Sequence, residues 1–395
     1  MPIQLPPGLP AAAALREEGI AAEDAGTAAQ GSLRIALVNL MPDKPTTEVQ
    51  FARLLGAAPG TVSLSLFAAD GGGARRTAEA HLARFYTPFT RLRAAAVDGI
   101  IITGAPLETI AFDAVRWWGD LASLFDDAAA ERVPVLAVCW AAMAAAWHGH
   151  GIDKQALPRK AFGLFAQTVR DRAAPLMQGI GPRYVVPVSR HAALRPEAFE
   201  GAEACVLASS PAAGVSIADN AAKGVTMVLD HLEYDGETLI GEFLRDRAAA
   251  LPVLPPAGLT REARAELPWR PAGHLLMRNW LGRVTSAAAH RRPQDMIGWL
   301  LAPAREPAAA GELVLRIESG AEPLGGLIAL AEAWGIGLAA FARHPSGTLL
   351  TVTLAVTTAR EAAEELAART LGLPGVREAY LRGPGHAGMA FRAAA

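Results

Sequence analysis

Apolar residues along this chain fall into short runs. Apolar and β-branched stretches at residues 34–40, 61–67, 99–103, 133–139, 205–209 and 225–231 alternate with segments of helical pattern. That rhythm predicts an α/β domain built on a mainly parallel sheet. Several of the runs lack strict alternation of apolar and polar positions, as expected of strands covered by helices on both faces.

A second unit is expected after the Pro- and Ala-rich stretch at residues 301–311, which reads as a linker between a domain at 1–300 and another at 312–391. In the latter the pattern gives a strand at 312–317, a helix at 323–334, a hairpin of 335–343 with 347–356 about Pro345-Ser346, a helix at 358–371 and a strand at 376–382. This βαββαβ order is ferredoxin-like.

Composition narrows the function. The chain has 395 residues, 51% of them hydrophobic, enough for well-buried cores. A formal net charge of -2 with mixed signs gives no reason to expect nucleic acid or an anionic membrane as partner, so small molecules are the expected ligands. The longest apolar run, residues 133–147, is shorter than the roughly 18 residues a membrane span requires. The first seven residues show no basic region leading into an apolar core, and the two cysteines, Cys139 and Cys205, form no disulfide or zinc framework. A reducing cytoplasm is the expected location. His148-Gly149-His150 with Asp153 lacks a further ligand at a recognisable spacing, so no catalytic metal and no bound cofactor are expected.

Cys139 ends an apolar strand and precedes the helix-favouring Trp140-Ala141-Ala142-Met143-Ala144. A nucleophile on such an elbow needs small neighbours, and the following helix N-terminus favours negative charge and offers amide donors to a developing oxyanion. Two residues apart at the end of a later run lie His231 and Glu233. On a strand both would point to one face, a base beside the carboxylate that orients it. Each feature alone is common; the ordered combination indicates nucleophilic acyl chemistry.

Several motifs together resemble one family. They are Leu37-Val38-Asn39-Leu40-Met41-Pro42-Asp43-Lys44-Pro45-Thr46-Thr47-Glu48, Phe85-Tyr86-Thr87-Pro88-Phe89, Asp98-Gly99-Ile100-Ile101-Ile102-Thr103-Gly104-Ala105-Pro106-Leu107-Glu108, Val138-Cys139-Trp140, Leu157-Pro158-Arg159-Lys160, Val188-Ser189-Arg190-His191, His231-Leu232-Glu233-Tyr234-Asp235 and Asn279-Trp280-Leu281. With the opening Met1-Pro2-Ile3, they resemble the homoserine O-acyltransferases, historically called homoserine O-succinyltransferases, over residues 1 to about 300. The resemblance implies a flavodoxin-like fold of the class I glutamine amidotransferase kind. It implies Cys139 as the acylated nucleophile, His231 as base, Glu233 as its orienting partner, and Lys44 with the Trp140 backbone N–H as oxyanion stabilisers. Lys160, Ser189 and Arg245 match substrate-contacting positions, Arg245 being suited to the homoserine carboxylate.

Family members with glutamate at the position of Glu108 resemble users of acetyl-CoA, and those with glycine resemble users of succinyl-CoA. A buried carboxylate there would repel a succinyl group, so acetyl-CoA is the expected cosubstrate and homoserine the acceptor. Succinyl-CoA as donor and serine as acceptor stay open, because one methylene is worth only about 1–3 kcal/mol of discrimination. A glutaminase using the same three residue types, and an amino-acid sensor with a decayed site, are the alternatives from other classes. The sequence departs from the family at Ala141 and Met143, where glycine and glutamine are usual, at Leu232 (proline) and at Gly282 (asparagine). The C-terminal unit resembles an ACT domain, with an amino-acid effector expected near residues 318–323 or a dimerising role instead; the expected assembly is a homodimer.

Overall fold

All six apolar runs become strands of one twelve-stranded sheet. The computed structural model describes residues 2–25, 28, 31–57, 60–69, 77–291, 311–318, 337–346, 349–357, 370–371, 376–383 and 386–392. Contacts divide the chain into two units, Met1–Leu301 and Ala302–Ala395. In the first unit the strands are β1 (Ile3–Leu5), β2 (Ala22–Asp24), β3 (Leu33–Val38), β4 (Val62–Ala68), β5 (Tyr86–Pro88) and β6 (Gly99–Ile102). They continue as β7 (Val135–Val138), β8 (Gln155–Val169), β9 (Arg183–Ala193), β10 (Cys205–Ser210), β11 (Gly214–Asn220) and β12 (Val225–Val228).

Across the sheet the order is β2-β1-β4-β3-β6-β7-β12-β11-β10-β8-β9, with β5 beside β4. Pairing is parallel from β2 to β12 and antiparallel from β12 to β9. The helices are α1 (Pro10–Glu17), α2 (Lys44–Gly56), α3 (Glu79–Phe85), α4 (Trp118–Ala130), α5 (Trp140–His150), α6 (Thr238–Ala248), α7 (Arg261–Glu266) and α8 (Arg270–Arg291). No helix of the described residues is long and apolar enough to cross a membrane.

The central strands are apolar at consecutive positions because they feed two cores. Ile35, Leu37, Ile101, Leu136 and Val138 belong to one core with residues of α2 and α8. Their chain neighbours Ala36, Val38, Ile100, Ile102, Val135 and Ala137 belong to the other, with residues of α4 and α5. Alternate side chains of a strand point to opposite faces, and here neither face meets water.

Sequence pattern missed β8 and β9, which pair along most of their length as a long antiparallel hairpin. Pro158, Gly163 and Pro187 interrupt the apolar pattern that would have marked them. Gly163, at φ 137°, lies against a passing segment so closely that a Cβ would sit 2.2 Å from the carbonyl oxygen of Ala257. The run at 225–231 was also read too long. β12 ends at Val228, and the chain then turns.

In the second unit the strands are β13 (Gly311–Glu318), β14 (Gly337–Ser346), β15 (Leu349–Thr357), β16 (Val376–Gly383) and β17 (His386–Arg392). All pairings are antiparallel, in the order β14-β15-β13-β16-β17. The expected helices at 323–334 and 358–371 lie outside the described residues except at 370 and 371, and so does the expected effector turn beyond Glu318. Strand β17, which hairpins back on β16, had no counterpart in the sequence reading.

One buried ion pair ties β9 to the turn after β12. Arg190 donates to the Asp230 carboxylate at 2.5 Å, to the carbonyl of Leu229 at 2.8 Å and to that of Ala213 at 2.6 Å, with both charged side chains 1% exposed. Removing one partner of such a pair strands the other charge in the interior. Asp230→Ala is therefore expected to lower unfolding stability by about 3–5 kcal/mol, read in urea as a lower midpoint with an unchanged slope.

Candidate active site

Four segments that carry the expected chemistry leave the sheet side by side. Lys44 follows β3, Gly104 and Glu108 follow β6, Cys139 follows β7 and His231 follows β12, and these four strands are consecutive neighbours in the sheet. The carboxyl ends of parallel strands, where the connections diverge, are where α/β sheets form clefts.

Cys139 caps α5 with a backbone at φ 52° and ψ −112°, a conformation L-residues avoid. Strain of this kind costs of order 1–3 kcal/mol and persists only where its surroundings enforce it. Here the Cys139 N–H donates to Val228 O at 2.7 Å, and its carbonyl accepts from the Met143 N–H at 3.2 Å. The approach from β6 is equally tight. A Cβ on Gly104 would lie 3.1 Å from Cys139 Cβ and 3.6 Å from its Sγ. Trp140 is the first residue of α5, so its N–H is among the donors that an α-helix leaves without an internal partner.

His231 and Glu233 come together from a turn, not from a strand face as the sequence suggested. Glu233 Oε1 lies 2.7 Å from His231 Nδ1, and the turn is held to β9 by the His231 N–H donating to Pro187 O at 2.9 Å. With Nδ1 engaged, Nε2 is the ring nitrogen left to interact with Cys139, which acts on the imidazole. Complete burial works against a charged imidazole, yet Glu233 and the Cys139 sulfur hold its pKa well above the ordinary value. A charged imidazole beside the Glu233 carboxylate is the favoured state. Tyr234 stacks on the imidazole at 4.1 Å, with 18° between the rings.

Lys44 opens α2 behind the N-cap Asp43 and is almost fully buried. Its Nζ donates to Asn39 O at 2.6 Å and Met41 O at 3.2 Å, and the Met41 side chain reaches Gly104 beside the thiol. Burial lowers the Lys44 pKa to about 8, partly offset by the Glu48 carboxylate one turn along α2. Glu48 in turn accepts from the Tyr86 hydroxyl at 2.7 Å.

Lys160, Ser189 and Arg245 also meet, around two acidic residues of α6, Glu242 and Asp246. Ser189 and the Tyr234 hydroxyl both donate to Glu242, the latter at 2.7 Å. Lys160 Nζ donates to Asp246 at 2.9 Å, and Arg245 Nε donates to the same carboxylate at 2.7 Å. Burial opposes the Asp246 charge, but Lys160 and Arg245 keep its pKa below the usual carboxylate value. Glu242, Arg245 and Asp246 stand at helical spacings of three and four, a signal the sequence offered and the reading did not use. Tyr234 was missed because its ring covers His231 while its hydroxyl reaches α6.

Glu108 differs from expectation in its surroundings. It is half-buried, two residues past the exposed Pro106, and its charge acts on Lys154. Ala141 and Met143, the departures next to Cys139, are fully buried in the core that α5 shares with α4. Leu232 is buried in the opposite core.

The homoserine O-succinyltransferase family model matches residues 2–290. The chain belongs to this family. Within it, the chain is 42% identical over 288 residues to a protein of Novosphingobium aromaticivorans named homoserine O-acetyltransferase, covering 72% of this chain and 96% of that one. It is 38% identical over 292 residues to one of the same name from Hyphomonas neptunium, covering 72% and 96%. Among solved structures it is similar to a glutamine amidotransferase of Methylobacillus flagellatus, with 12% identity, a TM-score of 0.45 and coverage of 65% of this chain and 96% of that one. The homoserine O-succinyltransferase match ends just short of the Pro- and Ala-rich stretch, so the second unit lies beyond it.

The charge on Glu233 is what holds the imidazolium against burial. Glu233→Gln is expected to lower the His231 pKa, and a histidine-resolved NMR titration of the two proteins measures the shift.

Proposed function

We propose that the protein is a homoserine O-acetyltransferase that works through an acyl-enzyme on Cys139 and serves methionine biosynthesis. The observation that carries this reading is the meeting of Cys139, His231 and Glu233 at the ends of neighbouring strands in a chain whose relatives bear that name.

In the first half-reaction the Cys139 thiolate attacks the carbonyl carbon of acetyl-CoA, and the carbonyl π pair moves onto oxygen. Lys44 and the Trp140 N–H stabilise that oxyanion. As it collapses, the carbon–sulfur bond to CoA breaks, and the leaving thiolate takes the proton from His231. In the second half, neutral His231 accepts the proton of the homoserine γ-hydroxyl as its oxygen attacks the thioester. Collapse releases O-acetylhomoserine and restores the thiolate–imidazolium pair.

Arg245 takes the homoserine carboxylate by exchanging it for Asp246, and Lys160 and Ser189 line the same pocket. Glu108 sets the donor. It follows the glycine that touches the nucleophile by four residues, and its carboxylate disfavours the second negative charge of succinyl-CoA. Its half-exposure softens that repulsion, so the preference is expected to be one of degree.

Intact-mass spectrometry after brief exposure to acetyl-CoA is expected to show one acetyl adduct that maps to Cys139 and discharges on homoserine, and none in Cys139→Ala. A folded wild type that labels with neither acetyl-CoA nor succinyl-CoA overturns the acyltransferase reading. Lys44 must be protonated to stabilise the oxyanion, and it loses its proton as pH rises past about 8. An alkaline fall in kcat/KM near that pH is therefore expected. In Lys44→Arg the fall moves to higher pH, because a guanidinium keeps its charge.

A further inference from the structure

The loop that carries Glu108 begins at the nucleophile and runs alongside α5. At its start Gly104 touches Cys139, and backbone turns follow, Leu107 N–H to Ala105 O at 2.8 Å and Ile110 N–H to Leu107 O at 3.1 Å. At its far end Phe112 is buried between residues at both ends of α5, with ring centroids 5.8 Å from Trp140 and 6.1 Å from Trp147. Between these anchors Pro106, Thr109, Ile110 and Ala111 face solvent.

Lys154, just past the left-handed Gly151 that ends α5, closes on this stretch. Its Nζ donates to Ile110 O at 2.8 Å and stands 3.5 Å from the centre of the Phe112 ring. One ammonium thus holds the loop by a charge-assisted hydrogen bond and a cation–π contact. Its charge also meets those of Glu108, Asp113 and Asp153. Burial lowers the Lys154 pKa, while those three carboxylates oppose the shift.

We infer that Lys154 is a positioning residue for acyl-donor selection: it fixes the Glu108 loop beside the nucleophile, so that the Glu108 carboxylate stands where it opposes a charged acyl group. This rests on the donor role proposed for Glu108. Lys154 does not act on the acceptor, because its contacts are with the loop after β6, while Lys160, Ser189 and Arg245 gather at α6.

The test is the ratio of kcat/KM for acetyl-CoA to that for succinyl-CoA, at saturating homoserine, in wild type, Lys154→Ala, Lys154→Arg, Glu108→Gln and the double variant Glu108→Gln/Lys154→Ala. The ratio is expected to fall about tenfold in Lys154→Ala, the size of effect that one pocket contact controls, and to recover in Lys154→Arg, whose guanidinium can remake both contacts. In the Glu108→Gln background the Lys154→Ala change should leave the ratio where it was. A ratio unmoved by Lys154→Ala, or moved equally with and without Glu108, overturns the inference even if acetyl transfer is confirmed. A Lys154→Ala protein that melts earlier at an unchanged ratio is also a refutation, since its lysine is then merely structural. If wild type transfers neither acyl group, it is the enzyme assignment that falls, taking this inference with it.

Discussion

A buried cysteine held at positive φ is the constraint on which this site depends. Nothing local favours this conformation. Its strain is of order 1–3 kcal/mol. Against that stand Trp140, Met143 and the alanines of α5, all buried in one core. Fully burying a large apolar side chain contributes about 1.5–3 kcal/mol, so two such residues suffice to hold the elbow. Apolar residues at 141 and 143 suit this task, since a polar amide at 143 would need a partner in that core. The same constraint explains Gly104, because any side chain there would crowd the Cys139 Cβ.

The charges divide into two groups that behave differently. Around the thiol they are deeply buried and satisfied by the protein itself: His231 by Glu233 and Cys139, Lys44 by two backbone carbonyls with Glu48 near. That half is built before any substrate arrives. Around α6 the arrangement is looser, with the Arg245 side chain 40% exposed while paired to Asp246. Exposed ion pairs are worth about 0–1 kcal/mol. Arg245 is thus freer to move than the Arg190–Asp230 pair, whose side chains are both 1% exposed.

Much of this was legible in the sequence because central parallel strands announce themselves as uninterrupted apolar runs. The six strands read that way were all found, and the cysteine elbow was visible as a strand running into an alanine-rich helix. Of the strands paired only in antiparallel fashion, β10 alone was legible. The long strands β8 and β9 carry prolines, a glycine and charged residues, since one part of their surface serves the site and not the core. His231 and Glu233 were recognised as a pair for an incomplete reason: the turn after Val228 brings them together, where strand periodicity had been expected to do so. Tyr234 and Glu242 escaped because their role depends on α6 folding back over the turn, a contact that no local pattern encodes.

The site also has no local precursor. Lys44, Cys139 and His231 are each more than ninety residues from the next, although β3, β6, β7 and β12 lie side by side in the finished sheet. Between β7 and β12 the chain leaves to build β8 to β11 and then returns to pair in parallel beside the strand it left. Loop-closure entropy grows only slowly with length, but it must be met before such a distant pairing gives anything back. Cys139 and His231 therefore meet only when the central sheet closes. A chain emerging from the ribosome carries Cys139 for a long interval without His231 beside it, and the thiol gains its histidine neighbour only with the completed fold.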